Sequence, residues 1–237
     1  MMAHKLSKQT GAVTLAPNGR ITTHAIVIGS SIAGLSAAKT AANYMDQVTI
    51  IDRDESACKQ DYRSGVPQAR HAHTLMPHGQ EVLEQLFPGL IIELIGNGAV
   101  PVNIEKEVAF FHAGSWRSPQ QKGRKLSLSC SRPMLENAIY QRVSSLPNVT
   151  IMRGYRADGL VTDSSGQQVA GVRLRSGRGA GAEELVMEAN LVIDASGRQS
   201  QAPNWLASLK FMPPEEWRIN AHVGYATRIY QQPANFA

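Results

Sequence analysis

Residues 25–52 narrow the fold more than any other part of the sequence. Ala25-Ile26-Val27-Ile28 is an unbroken apolar run, the pattern of a strand buried on both faces of a parallel sheet. Gly29-Ser30-Ser31-Ile32-Ala33-Gly34 follows. Ala37, Ala38 and Ala41 then recur at spacings that let a helix lie close against a sheet. Val48-Thr49-Ile50-Ile51 is a second buried strand, ending at Asp52. Strand, helix and strand within about 30 residues make one βαβ unit with a right-handed crossover.

The turn in that unit carries chemistry. Gly29 lets the chain reverse sharply, and Gly34 lets the helix pack close to the strand. The helix then points free N–H groups and the positive end of its dipole at whatever lies beyond, which suits a pyrophosphate. Ser31 stands where a glycine is usual, and its hydroxyl can donate to a phosphate oxygen. Asp52 comes 23 residues after Gly29, where a carboxylate can accept hydrogen bonds from ribose hydroxyls and disfavours a 2′-phosphate. A strand-end Asp that merely caps the next turn is the other reading. A second acid, Asp194, ends the apolar run Leu191-Val192-Ile193 and opens the small-residue turn Ala195-Ser196-Gly197-Arg198. Its place at a strand's C-terminal end puts it on the edge where α/β sheets bind ligands.

The remaining pattern is mixed. A polar connection spans 53–73. A helix follows, with Thr74 as candidate N-cap and Leu75, Gly79, Val82, Leu83 and Leu86 on one face, ending at Pro88-Gly89. Short strands are expected at 99–104 and 108–112, with a turn at Gly114-Ser115. Ser131 caps a third helix with Pro133 in its first turn; Leu135, Ala138, Ile139, Val143 and Leu146 follow at helical spacing, and Pro147-Asn148 stops it. Strand-like runs at 149–152, 160–162, 169–174 and 185–188 come next, with a hairpin turn at Ser164-Ser165-Gly166. A last apolar strand at 191–193 follows, and 222–230 reads as one more. The expected class is therefore α/β: a Rossmann-like core with a parallel central sheet and an antiparallel β-meander inserted before its final strand.

Composition sets outer limits. The 237 residues, 43% hydrophobic and 18% charged, suit one large domain, or one domain with part of another. No apolar run approaches the roughly 18 residues of a membrane span. Residues 1–22 have neither a signal-peptide core nor a presequence pattern, and read as a flexible extension. Cys58 and Cys130 show no paired spacing, which points to inert thiols in a cytoplasmic protein. The net charge is +5. Its densest groups, Lys122-Gly123-Arg124-Lys125 and Arg173/Arg175/Arg178, fall in turn-rich stretches and read as solvated loops, with no nucleic-acid partner. His71 and His73 form a His-x-His pair with His78 nearby, but no third ligand stands at a persuasive spacing, so no metal is expected.

Five motifs in order, GSSIAG, VTIIDRD, RSGVPQARHAHTLMPHGQEVLEQLFPG, CSRPMLENAI and LVIDASGR, make the chain resemble FAD-dependent monooxygenases of the para-hydroxybenzoate hydroxylase superfamily. The resemblance covers residues 23–230. It implies that Gly29, Ser31, Ala33 and Gly34 cradle the FAD pyrophosphate. Asp52 would hold the adenosine ribose where the family usually has Glu, with Arg53 near the adenine. Arg132 matches a residue that reaches the pyrophosphate and ribityl chain. Asp194 matches the acid of an Asp-Gly motif serving both FAD and NAD(P)H, with Ala195 in place of the Gly. Arg70 and His73 lie in a segment that skirts the flavin ring. The implied domains are an FAD-binding domain at 23–212 and the truncated start of a β-rich substrate domain at 213–237. A second Gly-Asp motif, expected about a hundred residues after the first Asp motif, lies outside the sequence.

The leading functional expectation is a flavin oxidoreductase that draws electrons from NAD(P)H and oxygenates a small electron-rich substrate. No side chain presents itself as a catalytic base. Two alternatives stay open: a non-catalytic flavin-binding fragment completed by a homodimer or a partner chain, and an NAD-dependent dehydrogenase. The second is favoured by Asp52, but it lacks a Tyr-x-x-x-Lys pair and leaves Asp194-Ala195-Ser196-Gly197-Arg198 without a role.

Overall fold

The computed structural model describes residues 22–55, 66–71, 73–108, 110–117, 126–176 and 183–228. In chain order the elements are β1 (His24–Ile28), α1 (Ile32–Ala41), β2 (Gln47–Asp52), a 3-10 turn (Pro67–Arg70), β3 (His73–Leu75), α2 (Pro77–Leu86), α3 (Leu90–Gly96), β4 (Val100–Val102), α4 (Ile104–Glu107), β5 (Phe110–His112) and β6 (Ser115–Arg117). They continue with β7 (Ser127–Cys130), α5 (Arg132–Ser144), β8 (Val149–Arg153), β9 (Tyr155–Thr162), β10 (Val169–Ser176), β11 (Glu183–Glu188), β12 (Leu191–Asp194) and α6 (Ala202–Ser208). Two compact units divide the chain: Met1–Ala57 with Ile139–Glu215, and Cys58–Ala138 with Glu216–Ala237.

The first unit is built on a parallel sheet ordered β12-β1-β2-β8. Its middle strands are apolar on both faces because both faces are covered. Ala25, Ile26, Val27, Val48, Ile50 and Ile51 are buried, and α1 lies against β1 and β2 through Leu35 and Ala38. On the other side the antiparallel meander β11-β10-β9 closes the core. Val172 and Leu174 of β10 join Ile26, Ile28, Ile51 and Ala189 in one cluster. The meander precedes β12, as the sequence pattern indicates, and Gly166 makes its first turn at a φ of 71°.

The edge of this sheet where the strands begin is tied by side chains. Thr23 and Asp46 clasp each other, the Thr23 amide donating to Asp46 Oδ2 at 2.8 Å and the Asp46 amide to Thr23 Oγ1 at 3.1 Å. Asn148 Nδ2 donates to the carbonyls of Ala42 and Met45. The His24 amide donates to Asn190 Oδ1 at 2.8 Å. The His24 ring joins three strands: Nδ1 meets the Glu188 carbonyl and Nε2 the Thr49 hydroxyl, each at 2.8 Å. A carbonyl only accepts, so Nδ1 carries the proton and the neutral ring accepts from Thr49.

The second unit contains the antiparallel sheet β3-β7-β4 and the hairpin β5-β6. Leu83, Phe87, Leu90, Leu94 and Leu128 are buried among its elements.

Several expectations need correction. Thr74 is not an N-cap: it pairs with Ser129 inside β3, and Pro77 starts α2 one residue after Met76. Three ladder positions fix residues 73–75 as strand, and a proline suits the first helical position. α3 and α6 escape the sequence reading, which stops its second helix at Pro88-Gly89. The strand expected at 99–104 shortens to β4, because Asn103 turns the chain into α4 by accepting from the Lys106 amide at 3.1 Å. Arg173 and Arg175 are not in a loop. They alternate with Val172 and Leu174 on β10 and pair with Asp158 and Glu184, while Arg178 and residues 122–125 lie outside the described residues. The strand expected at 222–230 is absent over its described part, 222–228. Its alternating pattern finds no strand to pair with among the described residues, and Val223 and Tyr225 stay exposed.

The His24 joint makes stability depend on pH. Burial holds the ring's pKa below its ordinary 6.5, against a smaller upward pull from the Glu188 carbonyl. The unfolded chain therefore takes up the proton first as pH falls below about 6.5, and folding stability drops from there through the folded-state pKa. Urea midpoints measured between about pH 7 and pH 5 are expected to decline, and His24→Gln is expected to make that decline shallower.

Candidate functional site

All four strands of the parallel sheet end on one edge, and the order of the sheet lines up their last residues. β12 ends at Asp194, β1 runs on to Gly29, β2 ends at Asp52 and β8 ends at Arg153. The register pairs Ile28 with both Asp194 and Ile51, and Asp52 with Arg153. With neighbouring strands about 4.8 Å apart, the row spans roughly 15 Å.

The turn after β1 is set by two close approaches. Gly29 adopts a φ of 105°, and its amide donates to the Ile51 carbonyl at 2.8 Å. A Cβ on Gly29 would stand 2.6 Å from the Ala195 carbonyl oxygen. A Cβ on Gly34 would stand 1.9 Å from the Gly29 carbonyl oxygen. Neither position admits a side chain without moving backbone. Ser31 precedes α1 as its N-cap residue, in extended conformation and with no side-chain cap bond. The helical ladder begins with the Leu35 amide on the Ser31 carbonyl at 2.9 Å, so the amides of Ile32, Ala33 and Gly34 precede it. Ala33 is exposed, and no acid stands in the first turn to neutralise the helix's positive end.

Asp52 is buried beside this turn. Ser30 Oγ donates to its Oδ2, the Asp54 amide donates to Oδ1 at 3.1 Å, and Arg153 Nη1 lies 3.9 Å from Oδ2. The Asp54 contact is the turn cap anticipated as an alternative role, and one carboxylate has lone pairs enough to serve both roles. Arg53 follows, exposed. Asp194 is exposed on the opposite flank; its carboxylate accepts from the Ser196 amide at 2.9 Å and from Ser200 Oγ. The Ala195 amide donates to the Ile28 carbonyl at 2.9 Å, which brings the turn after Asp194 against Gly29.

Gly29, Ser31, Ala33, Gly34, Asp52, Arg53 and Asp194 thus share the first unit, whereas Arg70, His73 and Arg132 belong to the second. Arg70 ends the 3-10 turn, exposed. Arg132 opens α5 and pairs with the buried Glu136 at 3.6 Å. Ser131 Oγ accepts from the Met134 amide at 3.3 Å, the expected cap. His73 Nδ1 donates to the His71 carbonyl, His71 Nδ1 meets Thr227 Oγ1, and His78 faces Glu81. Among the described residues no three His, Cys, Asp or Glu side chains are grouped to hold a metal. Burial pushes the Cys130 thiol pKa up, away from reactivity; Cys58 lies outside the described residues. No helix of the described residues is long and apolar enough to cross a membrane.

Ser30 and Arg153, both on Asp52, and Tyr140, whose ring centroid lies 4.9 Å from the Arg153 guanidinium, are the residues of this edge that the sequence reading misses. Arg153 carried a usable signal: it ends a largely apolar strand, as Asp52 and Asp194 do. Its strand had no assigned neighbour, so nothing placed it beside Asp52.

A parallel sheet with this glycine turn, a strand-end acid and an inserted meander is a fold shared with solved flavin-dependent monooxygenases. The solved structure of PieE, a flavin-dependent monooxygenase in complex with FAD and substrate, superposes over 79% of this chain and 32% of its own, with a TM-score of 0.58 and 17% identity. PqsL of Pseudomonas aeruginosa, in complex with 2-aminobenzoylacetate, superposes over 84% of this chain and 48% of its own, with a TM-score of 0.58 and 17% identity. At the sequence level the chain is similar to protein Rv3254 of Mycobacterium tuberculosis, 36% identical over 221 residues, which are 89% of this chain and 45% of that protein. The chain spans about half the length of these relatives or less. No family model matches the sequence.

The turn geometry makes a contrast that can be measured. Gly34→Ala forces a methyl group into the Gly29 carbonyl and is expected to destabilise the chain by about 1–3 kcal/mol. Gly96→Ala, where a Cβ meets nothing within 4 Å, is expected to be neutral or to stabilise by up to about 1 kcal/mol. Urea unfolding of both variants checks the contrast, and equal effects would show that the turn tolerates a side chain.

Proposed function

We propose that this chain is the FAD-binding part of a flavin-dependent monooxygenase supplied with electrons by NAD(P)H. The single observation that carries the reading is the row of strand ends: the α1 N-terminus at the Gly29 turn, with no acid in its first turn, flanked by the Asp52 and Asp194 carboxylates. The fit to the cofactor is physical. A turn in which a Cβ on Gly29 or Gly34 would strike backbone packs α1 close to the end of β1, and the amides of Ile32, Ala33 and Gly34 at its first turn suit a pyrophosphate. Asp52 provides a carboxylate acceptor for ribose hydroxyls, already oriented by Ser30 and the Asp54 amide. Ser31 donates its hydroxyl to the phosphates, and Arg53 lies by the adenine. Asp194 and its turn lie toward the flavin end, where they bear on both FAD and the nicotinamide donor. Arg70 and Arg132, in the second unit, are assigned to the cofactor by the sequence resemblance alone.

FAD supplies the redox chemistry when bound, and this chain's residues bind it, orient it and exclude water. Residues 23–212 form the FAD-binding domain in this reading, and 213–237 begin a substrate domain. Hydroxylation of a small electron-rich substrate belongs to the whole protein, whose relatives are about twice as long. A cytoplasmic setting suits both the reducing cofactor and the protonated Cys130 thiol.

A second reading has one observation behind it. Asp52 would accept the adenosine ribose of NAD as readily as that of FAD, as in a dehydrogenase. The visible spectrum of the purified protein and a thermal shift with each nucleotide separate the two. Flavin bands and stabilisation by FAD are expected, worth about 2.7 kcal/mol at 100 times the dissociation constant. Stabilisation by NAD alone, with no flavin bands, would overturn the proposal in favour of the dehydrogenase.

A further inference from the structure

Arg153 is the one member of the strand-end row without a part in the reading above. It sits directly across from Asp52 in the β2–β8 ladder, and its Nη1 lies 3.9 Å from Asp52 Oδ2. Both side chains are largely buried, 16% and 7% exposed. The guanidinium also lies over the ring of Tyr140, 4.9 Å from its centroid. Such a platform restrains a long, flexible side chain while leaving its charge intact. Ser30, the residue after Gly29 in the turn, donates to the same Oδ2. The same carboxylate oxygen thereby meets both the turn after β1 and the cation that ends β8.

We propose that Arg153, seated on Tyr140, is a positioning residue that orients the Asp52 carboxylate to accept the 2′-hydroxyl of an adenosine ribose. This rests on the reading that FAD binds at this edge. Buried ion pairs contribute little net stability, since desolvation offsets most of the attraction. What the pair provides is orientation: the cation narrows the rotamers open to the carboxylate. Lysine keeps the charge but loses the flat group that stacks on Tyr140, so it is expected to replace Arg153 only in part.

The test compares binding of FAD with binding of its 2′-deoxyadenosine analogue, titrated by flavin fluorescence, in four proteins. The wild-type chain is expected to prefer FAD about tenfold, the value of one hydrogen bond to a charged acceptor. Arg153→Met is expected to bring that ratio close to one, Arg153→Lys to leave it between the two, and Tyr140→Leu to lower it about threefold. Tyr140→Leu keeps both charges in place, so it tests the idea even where Arg153→Met fails to fold. A general loss of structure weakens both flavins equally and leaves the ratio unchanged, whereas a positioning role changes the ratio itself. An unchanged ratio in Tyr140→Leu, or in a folded Arg153→Met, would overturn the role of Arg153 while leaving FAD binding intact. Failure of the wild-type chain to bind either flavin would instead overturn the functional reading and this inference with it.

Discussion

The carbonyl oxygen of Gly29 lies 1.9 Å from where a side chain on Gly34 would begin, and that contact governs the site. It sets how closely α1 approaches the end of β1. Gly29 is constrained in turn by the Ala195 carbonyl and holds a φ that L-residues rarely adopt. Three backbone segments, the turn after β1, the first turn of α1 and the turn after β12, thus meet at Gly29, Gly34 and Ala195. Bare backbone at a helix N-terminus is what an anionic ligand needs in order to come near the amides and the dipole.

The two edges of the parallel sheet divide the work. Where the strands begin, Thr23, His24, Asp46, Asn148 and Asn190 tie loops together through side-chain hydrogen bonds. Where the strands end, Asp52 and Asp194 flank an open turn, and only their orientation is fixed by neighbours. The meander stabilises the arrangement from one face: Val172 and Leu174 seal Ile26, Ile28 and Ile51 from water. A rigid core between two tied edges is how a sheet of this kind holds acids at fixed spacing.

The sequence made the first unit legible because its signals are backbone signals. Unbroken apolar runs mark the strands, of which β1 and β2 are covered on both faces, and Gly29 and Gly34 mark close approaches, so β1, α1, β2 and β12 were readable one by one. Helix α5 was readable from its cap and stop. The second unit was less so. Strand β3 spans three residues, too few for alternation to show, and its identity comes from pairing with β7, more than fifty residues on. Residues 222–228 show the reverse case, alternation without a partner. Arg153 was hidden for a related reason: its importance depends on β8 lying next to β2, which no local pattern encodes.

The central claim is that the adenosine diphosphate part of FAD seats on the turn between β1 and α1. Amide chemical shifts in a labelled sample titrated with FAD address it most directly. The account predicts that the largest shifts fall on Gly29, Ile32, Ala33 and Gly34, with smaller ones on Asp52 and Asp54 and little change in β9 to β11. Shifts that leave Gly29 to Gly34 unmoved while FAD binds elsewhere would contradict it.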